Sequence, residues 1–197
     1  MYQLVLASAS PRRRQLLKDA GFSCLVHPSQ ISEKLSENMT LDDQLRDLAR
    51  RKAEAVFQDY YNIHKDPFLV LGADTEVIIH GEALGKPESE TQAVAFLKLL
   101  SGGFHEVKTA VHLIESTRKE TVSLLETTLI EFHELTDQQI QDYVKTGEPF
   151  DKAGGYAIQG HGSRLVRRMS GSYSNVVGLP VEKLAEIFKS KNWTIQT

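Results

Sequence analysis

Apolar residues recur in short continuous runs along the chain, and segments with apolar positions three or four residues apart separate these runs. Short runs are typical of buried strands, and the wider spacing is typical of helices with one buried face. Strands are predicted at 3–7, 22–27, 68–71, 76–80, 104–114, 121–132 and 165–169. Helices are predicted at 11–19, from Leu41 across Phe57, from Ala93 to Leu100, after Thr136 and at 181–189. This alternation, with a hairpin between the two longest strands, predicts an α/β fold with a mixed central sheet flanked by helices.

Residues that favour helix starts stand immediately before the predicted helices. A serine or threonine there accepts a hydrogen bond from a backbone N–H of the first turn. In a capping box, a glutamine three residues later returns a second bond. The pairs at these positions are Ser10 with Pro11, Thr40 with Asp43, Ser89 with Gln92 and Thr136 with Gln139. Of these, Ser89 with Gln92 is predicted to form a complete capping box.

Length and composition narrow the class of protein. A chain of 197 residues is typical of one domain, so 1–197 is predicted to be a single domain. The 23 Lys and Arg against 26 Asp and Glu leave a net charge of −3, which excludes a surface built throughout to bind nucleic acid. The single cysteine, Cys24, excludes an intramolecular disulfide framework. Since no leader or membrane-spanning pattern is present, we expect a soluble cytoplasmic protein without a membrane partner.

The turn after the first predicted strand carries Ser8 and Ser10 and leads into three consecutive arginines, Arg12, Arg13 and Arg14. Arginines in a first turn oppose the helix dipole, which favours acidic residues there. An anion held by backbone N–H groups and guanidinium groups would reverse this penalty. The pattern favours a phosphate site, and a solvated arginine cluster is the alternative.

Asp74 follows an apolar strand within Gly72–Thr75, at the edge where open α/β sheets place ligands. A carboxylate there can hold a divalent metal or orient water, and it can equally form a turn or cap a helix. Lys86 lies in the next loop, where a lysine suits a phosphate or simply faces solvent. Both interpretations stay open for each of these residues.

The segment 151–160 is rich in glycine, which lets a backbone approach a ligand closely. Gln159 within it offers one acceptor and two donors for hydrogen bonds to the edge of a base. An ordinary flexible loop is the alternative, and composition does not separate the two. The chain has neither a Walker phosphate loop nor a Rossmann glycine pattern, and its histidines lack metal-ligand spacing.

Several motifs, in order along almost the whole chain, resemble those of the Maf proteins, which are nucleoside triphosphate pyrophosphatases. They are Leu6–Arg13 (LASASPRR), Gly72–Thr75 (GADT), Gly85–Pro87 (GKP), Asp151–Gly160 (DKAGGYAIQG) and Gly171–Pro180 (GSYSNVVGLP). The resemblance implies an inosine-triphosphatase-like fold, with two lobes around a cleft, and a homodimer.

Maf proteins have one branch that acts on dTTP and UTP and another that acts on 7-methyl-GTP. The segment 152–159 is similar to the first branch, and Arg12, Thr75 and Gln159 match that branch's positions linked to substrate choice. The resemblance therefore implies hydrolysis of dTTP and UTP to the monophosphate and pyrophosphate. Modified pyrimidine nucleotides are further candidate substrates.

The same resemblance implies roles for individual charged residues. Asp74 matches the catalytic carboxylate that accepts a proton from water, and Glu33 matches an acidic residue that shares a divalent cation, Mg²⁺ or Mn²⁺, with it. Whether Asp74 acts mainly as base or as metal ligand is left open. The expected phosphate contacts are Ser8, Ser10, Arg12, Arg13, Lys52 and Lys86. Glu76 stands where the family often has an apolar residue. It either adds charge near the metal or faces solvent, and we expect it to face solvent.

Three alternatives remain beside this enzyme. A regulator of cell division that senses nucleotides would bind them without releasing pyrophosphate, and the 7-methyl-GTP branch would prefer another base. The intact set of Asp74, Glu33 and Lys86 favours an enzyme over a sensor. A nucleic-acid partner is not expected, because no aromatic residues are interleaved with the arginine cluster.

Overall fold

The computed structural model describes residues 1–34 and 38–196. The strands in this part of the chain are β1 Gln3–Leu6, β2 Cys24–Val26, β3 Phe68–Ile79, β4 Glu82–Leu84, β5 Phe104–Glu115, β6 Thr121–Phe132 and β7 Val166–Ser170. The helices are α1 Pro11–Asp19, α2 Leu41–Tyr61, α3 Glu90–Leu100, α4 Asp137–Val144, α5 Tyr173–Val177 and α6 Val181–Ser190.

The strands form one sheet in the order β2-β1-β3-β5-β6-β7, with β4 paired to β3. β1 is parallel to both of its neighbours, and Leu4 lies level with Cys24 on one side and with Leu69 on the other. β4 is antiparallel to β3, and β7 is antiparallel to β6. The predicted α/β fold with a mixed sheet is therefore confirmed.

Helix starts follow the predicted capping residues. Ser10, Thr40, Ser89 and Thr136 each accept a hydrogen bond from the backbone N–H three residues later. Thr136 and Gln139 form a complete capping box. At α3 the prediction of a complete box is wrong, because Gln92 Oε1 accepts from the N–H of Glu88, at 2.7 Å, instead of returning a bond to Ser89.

Some elements are absent from the sequence prediction or differ from it. β4 and α5 are too short for a period to show, and β2 covers only the middle of its predicted range. The segment interpreted as a glycine-rich loop contains short 3-10 helices. These are Glu148–Asp151, Ala153–Gly155 and Gly160–Leu165. Within the described ranges, no helix is both long enough and apolar enough to span a membrane.

The chain divides into two compact units, each built from segments that are distant in sequence. The first comprises Met1–Asp74, Thr109–Glu126 and Gly178–Thr197, and the second comprises Thr75–Lys108 and Thr127–Val177. In the first unit, alternate residues of β1 point to opposite faces of the strand. Leu4 and Leu6 pack in a cluster with residues of α1 and α6, and Val5 packs in a cluster with residues of α2. The core of the second unit joins residues of α3 and α4 with Val77 and Phe132.

Helix α2 packs against β3 at Gly72. A β-carbon at this position would lie 2.3 Å from the carbonyl oxygen of Ala49 and 2.7 Å from the backbone nitrogen of Ala53. The two backbones are thus in direct contact, which requires a residue without a side chain. Lys52 precedes Ala53 on the helix, and Asp74 lies two residues beyond Gly72 on the strand. The contact therefore brings these two charged side chains to one place.

Candidate active site

Lys52 and Asp74 form an ion pair in the first unit. The distance from Lys52 Nζ to Asp74 Oδ1 is 2.8 Å, and only 8% and 13% of the two side chains are exposed. A pair shielded in this way is screened by salt much less than a pair at the surface. The ammonium therefore fixes the Asp74 carboxylate in one orientation.

Glu33 contacts the same ammonium from the segment between β2 and α2. Its Oε1 lies 2.7 Å from Lys52 Nζ, and 65% of the Glu33 side chain is exposed. Lys52 thus joins a shielded carboxylate on a strand to an exposed carboxylate on an irregular segment. The structure brings the three residues together.

Arg51 on α2 holds the backbone on both sides of Glu33. Its guanidinium donates to the carbonyl oxygen of Ser32 at 2.8 Å and to that of Lys34 at 3.1 Å. Its Nε donates to the carboxylate of Asp47, one helical turn earlier, at 2.7 Å. The sequence interpretation does not single out Arg51. Its signal there is the acidic residue four positions before it, which is the spacing of a helical ion pair.

Arg13 is buried where α1 meets β3. Its guanidinium donates to the carbonyl oxygens of Gly178 and Ala73, each at 2.9 Å, and to Ser8 Oγ at 3.0 Å. Burial lowers the pKa of the Arg13 guanidinium, and the nearby carboxylate of Asp74 opposes this shift. An arginine stays protonated in proteins. Arg13 therefore supplies a fixed positive charge close to Asp74.

The start of α1 is ordered by the two serines before it. Ser8 Oγ accepts from the N–H of Ser10 at 3.3 Å, and Ser10 Oγ accepts from the N–H of Arg13 at 3.4 Å. The first turn carries no acidic residue. The charge of Arg12 also contributes to lowering the pKa of Arg13, so the two guanidinium groups are near one another. A helix N-terminus with this charge favours an anion.

Glu33 and Asp74 are two carboxylates at this site that can take part in holding a cation. Among the residues that the structure describes, no three His, Cys, Asp or Glu side chains form a group able to hold a metal ion. Mg²⁺ in nucleotide enzymes commonly takes one or two carboxylates and completes its shell with water and phosphate oxygens. Two carboxylates beside cationic groups thus suit an ion that arrives with a phosphate better than an ion in a closed protein cage.

Three of the predicted site residues belong to the second unit. Thr75 follows Asp74 directly on β3 and is half-buried. Lys86 is exposed in the loop after β4, and Gln159 is exposed just before the 3-10 helix Gly160–Leu165. Their participation in a common site with the residues of the first unit stays a prediction.

Glu76 differs from its expectation. It is half-buried, and its Oε2 is shielded from solvent, so the prediction that it faces solvent is wrong.

Tyr156 attaches the glycine-rich segment to the core of the second unit. Its hydroxyl lies 2.7 Å from His105 Nε2, and its ring packs edge to face against those of His105 and Phe132. Burial lowers the pKa of His105 to about 4, so this imidazole is neutral at pH 7. Gly154 has a φ of +68°, and a β-carbon there would lie 2.8 Å from the side chain of Val77. The glycine thus permits close packing as well as the turn.

A cavity of about 610 Å³ opens on the first unit, beside α2. The residues lining it include Ile31, Ser32, Arg51, Glu54, Phe57 and Lys119. Neither Lys52 nor Asp74 lines this cavity. Because Ser32 and Arg51 line it, the cavity adjoins the Glu33 side of the site without including the ion pair.

Several known proteins with similar sequences are named dTTP/UTP pyrophosphatase. The chain is 52% identical over 179 residues to the dTTP/UTP pyrophosphatase of Bdellovibrio bacteriovorus, which covers 91% of this chain and 93% of that protein. It is 41% identical over 184 residues to the dTTP/UTP pyrophosphatase of Caldicellulosiruptor bescii, with 93% and 92% covered.

A solved structure supports the fold. The Staphylococcus aureus Ham1 protein is similar with a TM-score of 0.52 at 14% identity, over 96% of this chain and 99% of that chain. A family model described as Maf-like protein matches residues 3–191. Because this match spans nearly the whole sequence, it confirms the resemblance found in the motifs: the chain belongs to the Maf-like protein family.

Proposed function

We propose that this chain is a nucleoside triphosphate pyrophosphatase that hydrolyses dTTP and UTP to the monophosphate and pyrophosphate. The observation that carries the proposal is the contact of Lys52 Nζ with both Asp74 and Glu33, at 2.8 and 2.7 Å, beside the buried guanidinium of Arg13. Relatives named dTTP/UTP pyrophosphatase, aligned over more than nine-tenths of the chain, support the choice of reaction.

In this reaction water attacks the α-phosphorus, and the bond from that phosphorus to the oxygen bridging the α- and β-phosphates breaks. Asp74 accepts the proton that the attacking water loses, and pyrophosphate leaves. The geometry suits this role, because the ammonium of Lys52 holds the carboxylate of Asp74 in place. A general base must be positioned within hydrogen-bond reach of its water.

The positive groups are proposed to bind the triphosphate. Arg12, Arg13, Lys52 and Lys86 supply charge, and Ser8 and Ser10 order the start of α1, whose N–H groups favour anions. The contacts of Arg13 with Ser8 and with two carbonyl oxygens hold its guanidinium rigidly. Preorganised charge of this kind stabilises a transition state without reorganisation during the reaction.

Glu33 and Asp74 are the residues proposed to hold a divalent cation, Mg²⁺ or Mn²⁺. When bound, it would neutralise phosphate charge and polarise the α-phosphate for attack. Arg51 keeps Glu33 available for this ion by holding the carbonyl oxygens on either side of it. Arg12, Thr75 and Gln159 are proposed to select the base, with the amide of Gln159 forming hydrogen bonds to the edge of uracil or thymine.

The test is a nucleotide panel with dTTP, UTP, CTP, GTP and 7-methyl-GTP in the presence of Mg²⁺, with pyrophosphate and orthophosphate measured separately. We expect pyrophosphate from dTTP and UTP. Asp74→Asn should lower turnover by about 100-fold or more, the scale of general base catalysis. Asp66→Asn, an exposed aspartate in the same unit, is the matched control and should retain wild-type turnover.

Each alternative has its own outcome in this panel. Orthophosphate alone, or full activity in Asp74→Asn, contradicts the mechanism. Preferred hydrolysis of 7-methyl-GTP assigns the chain to the other branch, and saturable binding without turnover identifies a nucleotide sensor. A homodimer is proposed from the resemblance, and the lack of a nucleic-acid partner is proposed from the net charge. A cytoplasmic location stays an expectation. Light scattering on the purified protein tests the homodimer.

A further inference from the structure

The carboxylate of Glu148 accepts hydrogen bonds from the segment around Gln159. Its Oε2 accepts from the backbone N–H of His161 at 3.0 Å, and its Oε1 accepts from that of Gly162 at 3.1 Å. Oε1 also accepts from the hydroxyl of Tyr143 at 3.0 Å. Hydrogen bonds to an ionised acceptor are stronger than those between neutral groups. Glu148 therefore fixes the chain just after Gln159.

Tyr143 fixes the chain just before Gln159. Its hydroxyl accepts from the backbone N–H of Ala157 at 3.1 Å while donating to Glu148. Burial raises the pKa of Tyr143 above its ordinary value, so the hydroxyl keeps its proton and can make both bonds. Tyr143 and Glu148 together are called the clasp below.

The segment between the two attachment points is tightly folded. Gly160 has a φ of +63°, and a β-carbon at Gly162 would lie 2.3 Å from the carbonyl oxygen of Ala157. Gln159 lies at the centre of this turn and is exposed. The direction of the Gln159 side chain is therefore set by the backbone on either side of it, and the clasp holds this backbone.

We propose that Tyr143 and Glu148 are positioning residues that set base selectivity by fixing the backbone around Gln159. The proposal rests on the proposed function, in which Gln159 contacts the base. Side chains that read a base must be held closely, because discrimination depends on hydrogen bonds that a displaced amide no longer makes. The clasp would act on selectivity through Gln159 and would leave the chemistry at Asp74 largely unaffected.

The experiment compares Glu148→Gln and Tyr143→Phe with wild type and with Glu82→Gln, an exposed glutamate of the same unit. For each variant, kcat and KM are measured with UTP and CTP. We expect the KM for UTP to rise about tenfold in both clasp variants, with kcat changed less than about twofold, as for lost charged hydrogen bonds. The ratio of kcat/KM for UTP over CTP should fall about tenfold, and Glu82→Gln should leave it unchanged.

A second measurement tests whether the clasp acts through Gln159. In a Gln159→Ala background, Glu148→Gln should cause no further loss of the UTP over CTP ratio, because coupled residues are not additive. If the losses of the UTP over CTP ratio in the two single variants multiply in the double variant, the proposal is overturned. A fall in kcat without a change in KM also overturns it. Amide hydrogen exchange should accelerate at 157 and 161–162 in Glu148→Gln, and unchanged exchange there also overturns it.

Failure of the proposed function is distinguishable from failure of the clasp. For each variant, dissociation constants are measured with non-hydrolysable analogues of UTP and CTP, and their ratio is compared with that of wild type. A wild-type chain that binds these analogues without releasing pyrophosphate from UTP contradicts the proposed activity. The clasp is then judged on the dissociation constants, and an unchanged ratio in Glu148→Gln overturns it.

Discussion

Gly72 lies so close to Ala49 that a β-carbon on the glycine would be 2.3 Å from the alanine's carbonyl oxygen. The neighbouring atoms belong mainly to the backbone of α2, so they cannot turn aside as the end of a side chain can. The separation of Lys52 and Asp74 therefore depends on two backbones in contact. The ion pair thus depends on how closely α2 packs against β3.

Gly72→Ala should be strongly destabilising, because the methyl group has to push α2 away from β3. We expect a loss of about 3 kcal/mol in the free energy of unfolding, at the upper end for overpacking. Urea denaturation followed by circular dichroism measures it. Gly85→Ala is the matched control, since a β-carbon there meets nothing within 4 Å. Equal stability of the two variants would contradict the close contact.

Removal of the ammonium that contacts both carboxylates should lower the activity of the enzyme. Lys52→Gln leaves Asp74 and Glu33 without the ammonium that contacts both of them. We expect kcat/KM to fall about 100-fold, the scale of a lost preorganised donor. Steady-state assay of pyrophosphate release gives the value. Lys98→Gln, which removes an exposed pair with Asp137, should stay near wild type. Comparable losses in both variants would show that the effect is not specific to the site.

The neighbouring arginines Arg50 and Arg51 provide a matched pair. Both contact Asp47, but Arg51 also donates to the carbonyl oxygens on either side of Glu33. A lysine cannot hold two carbonyl oxygens and a carboxylate in one plane. We expect Arg51→Lys to lower kcat/KM about tenfold, consistent with loss of one or two hydrogen bonds. Arg50→Lys should have little effect, and the reverse order would exclude a role for Arg51 in holding Glu33.

His105 should make stability depend on pH in a defined window. Its pKa is lowered to about 4 by burial, so between about pH 6.5 and pH 4 the unfolded chain binds a proton that the folded chain does not. Stability therefore falls as the pH falls through this window, by about 2 kcal/mol between pH 7 and pH 5 for this group. Denaturation of wild type and His105→Gln at both pH values isolates the contribution. Parallel pH dependence in the two proteins would mean that His105 titrates normally.

Local signals in the sequence predict the elements well where they are long. The spacing of apolar residues and the serine before Pro11 predict α1 with both of its ends, because capping and periodicity act within a few residues. Apolar spacing and capping residues do not predict the short strand β4 or the short helix α5. Gln92 shows a further limit, since its oxygen has two neighbouring N–H groups within reach and composition does not select between them.

The site is harder to predict because its contacts join residues far apart in the chain. The sequence predicts Lys52 on a helix and Asp74 after a strand, whereas Asp74 lies inside β3. The ion pair between the two residues is seen only in the structure. The close approach of α2 to Gly72 is visible in the structure, where Ala49 and Ala53 lie directly against the glycine. Two small residues four apart on a helix are a weak signal for such packing. No local sequence signal around Glu148 indicates that its carboxylate binds the backbone 13 and 14 residues further along the chain.

The ammonium of Lys52 means that the two carboxylates already have an internal counter-ion. A free divalent ion has to compete with a side chain that cannot diffuse away, unless that side chain gains another anion. A triphosphate supplies one. Affinities for metal and nucleotide should then be linked, each raising the other by the same factor. Calorimetric titration of Mn²⁺ with and without a non-hydrolysable triphosphate, corrected for Mn²⁺ bound to the free nucleotide, measures this factor, and a value of one would contradict the linkage. Such coupling would favour occupation of the site by metal and nucleotide together over occupation by either alone.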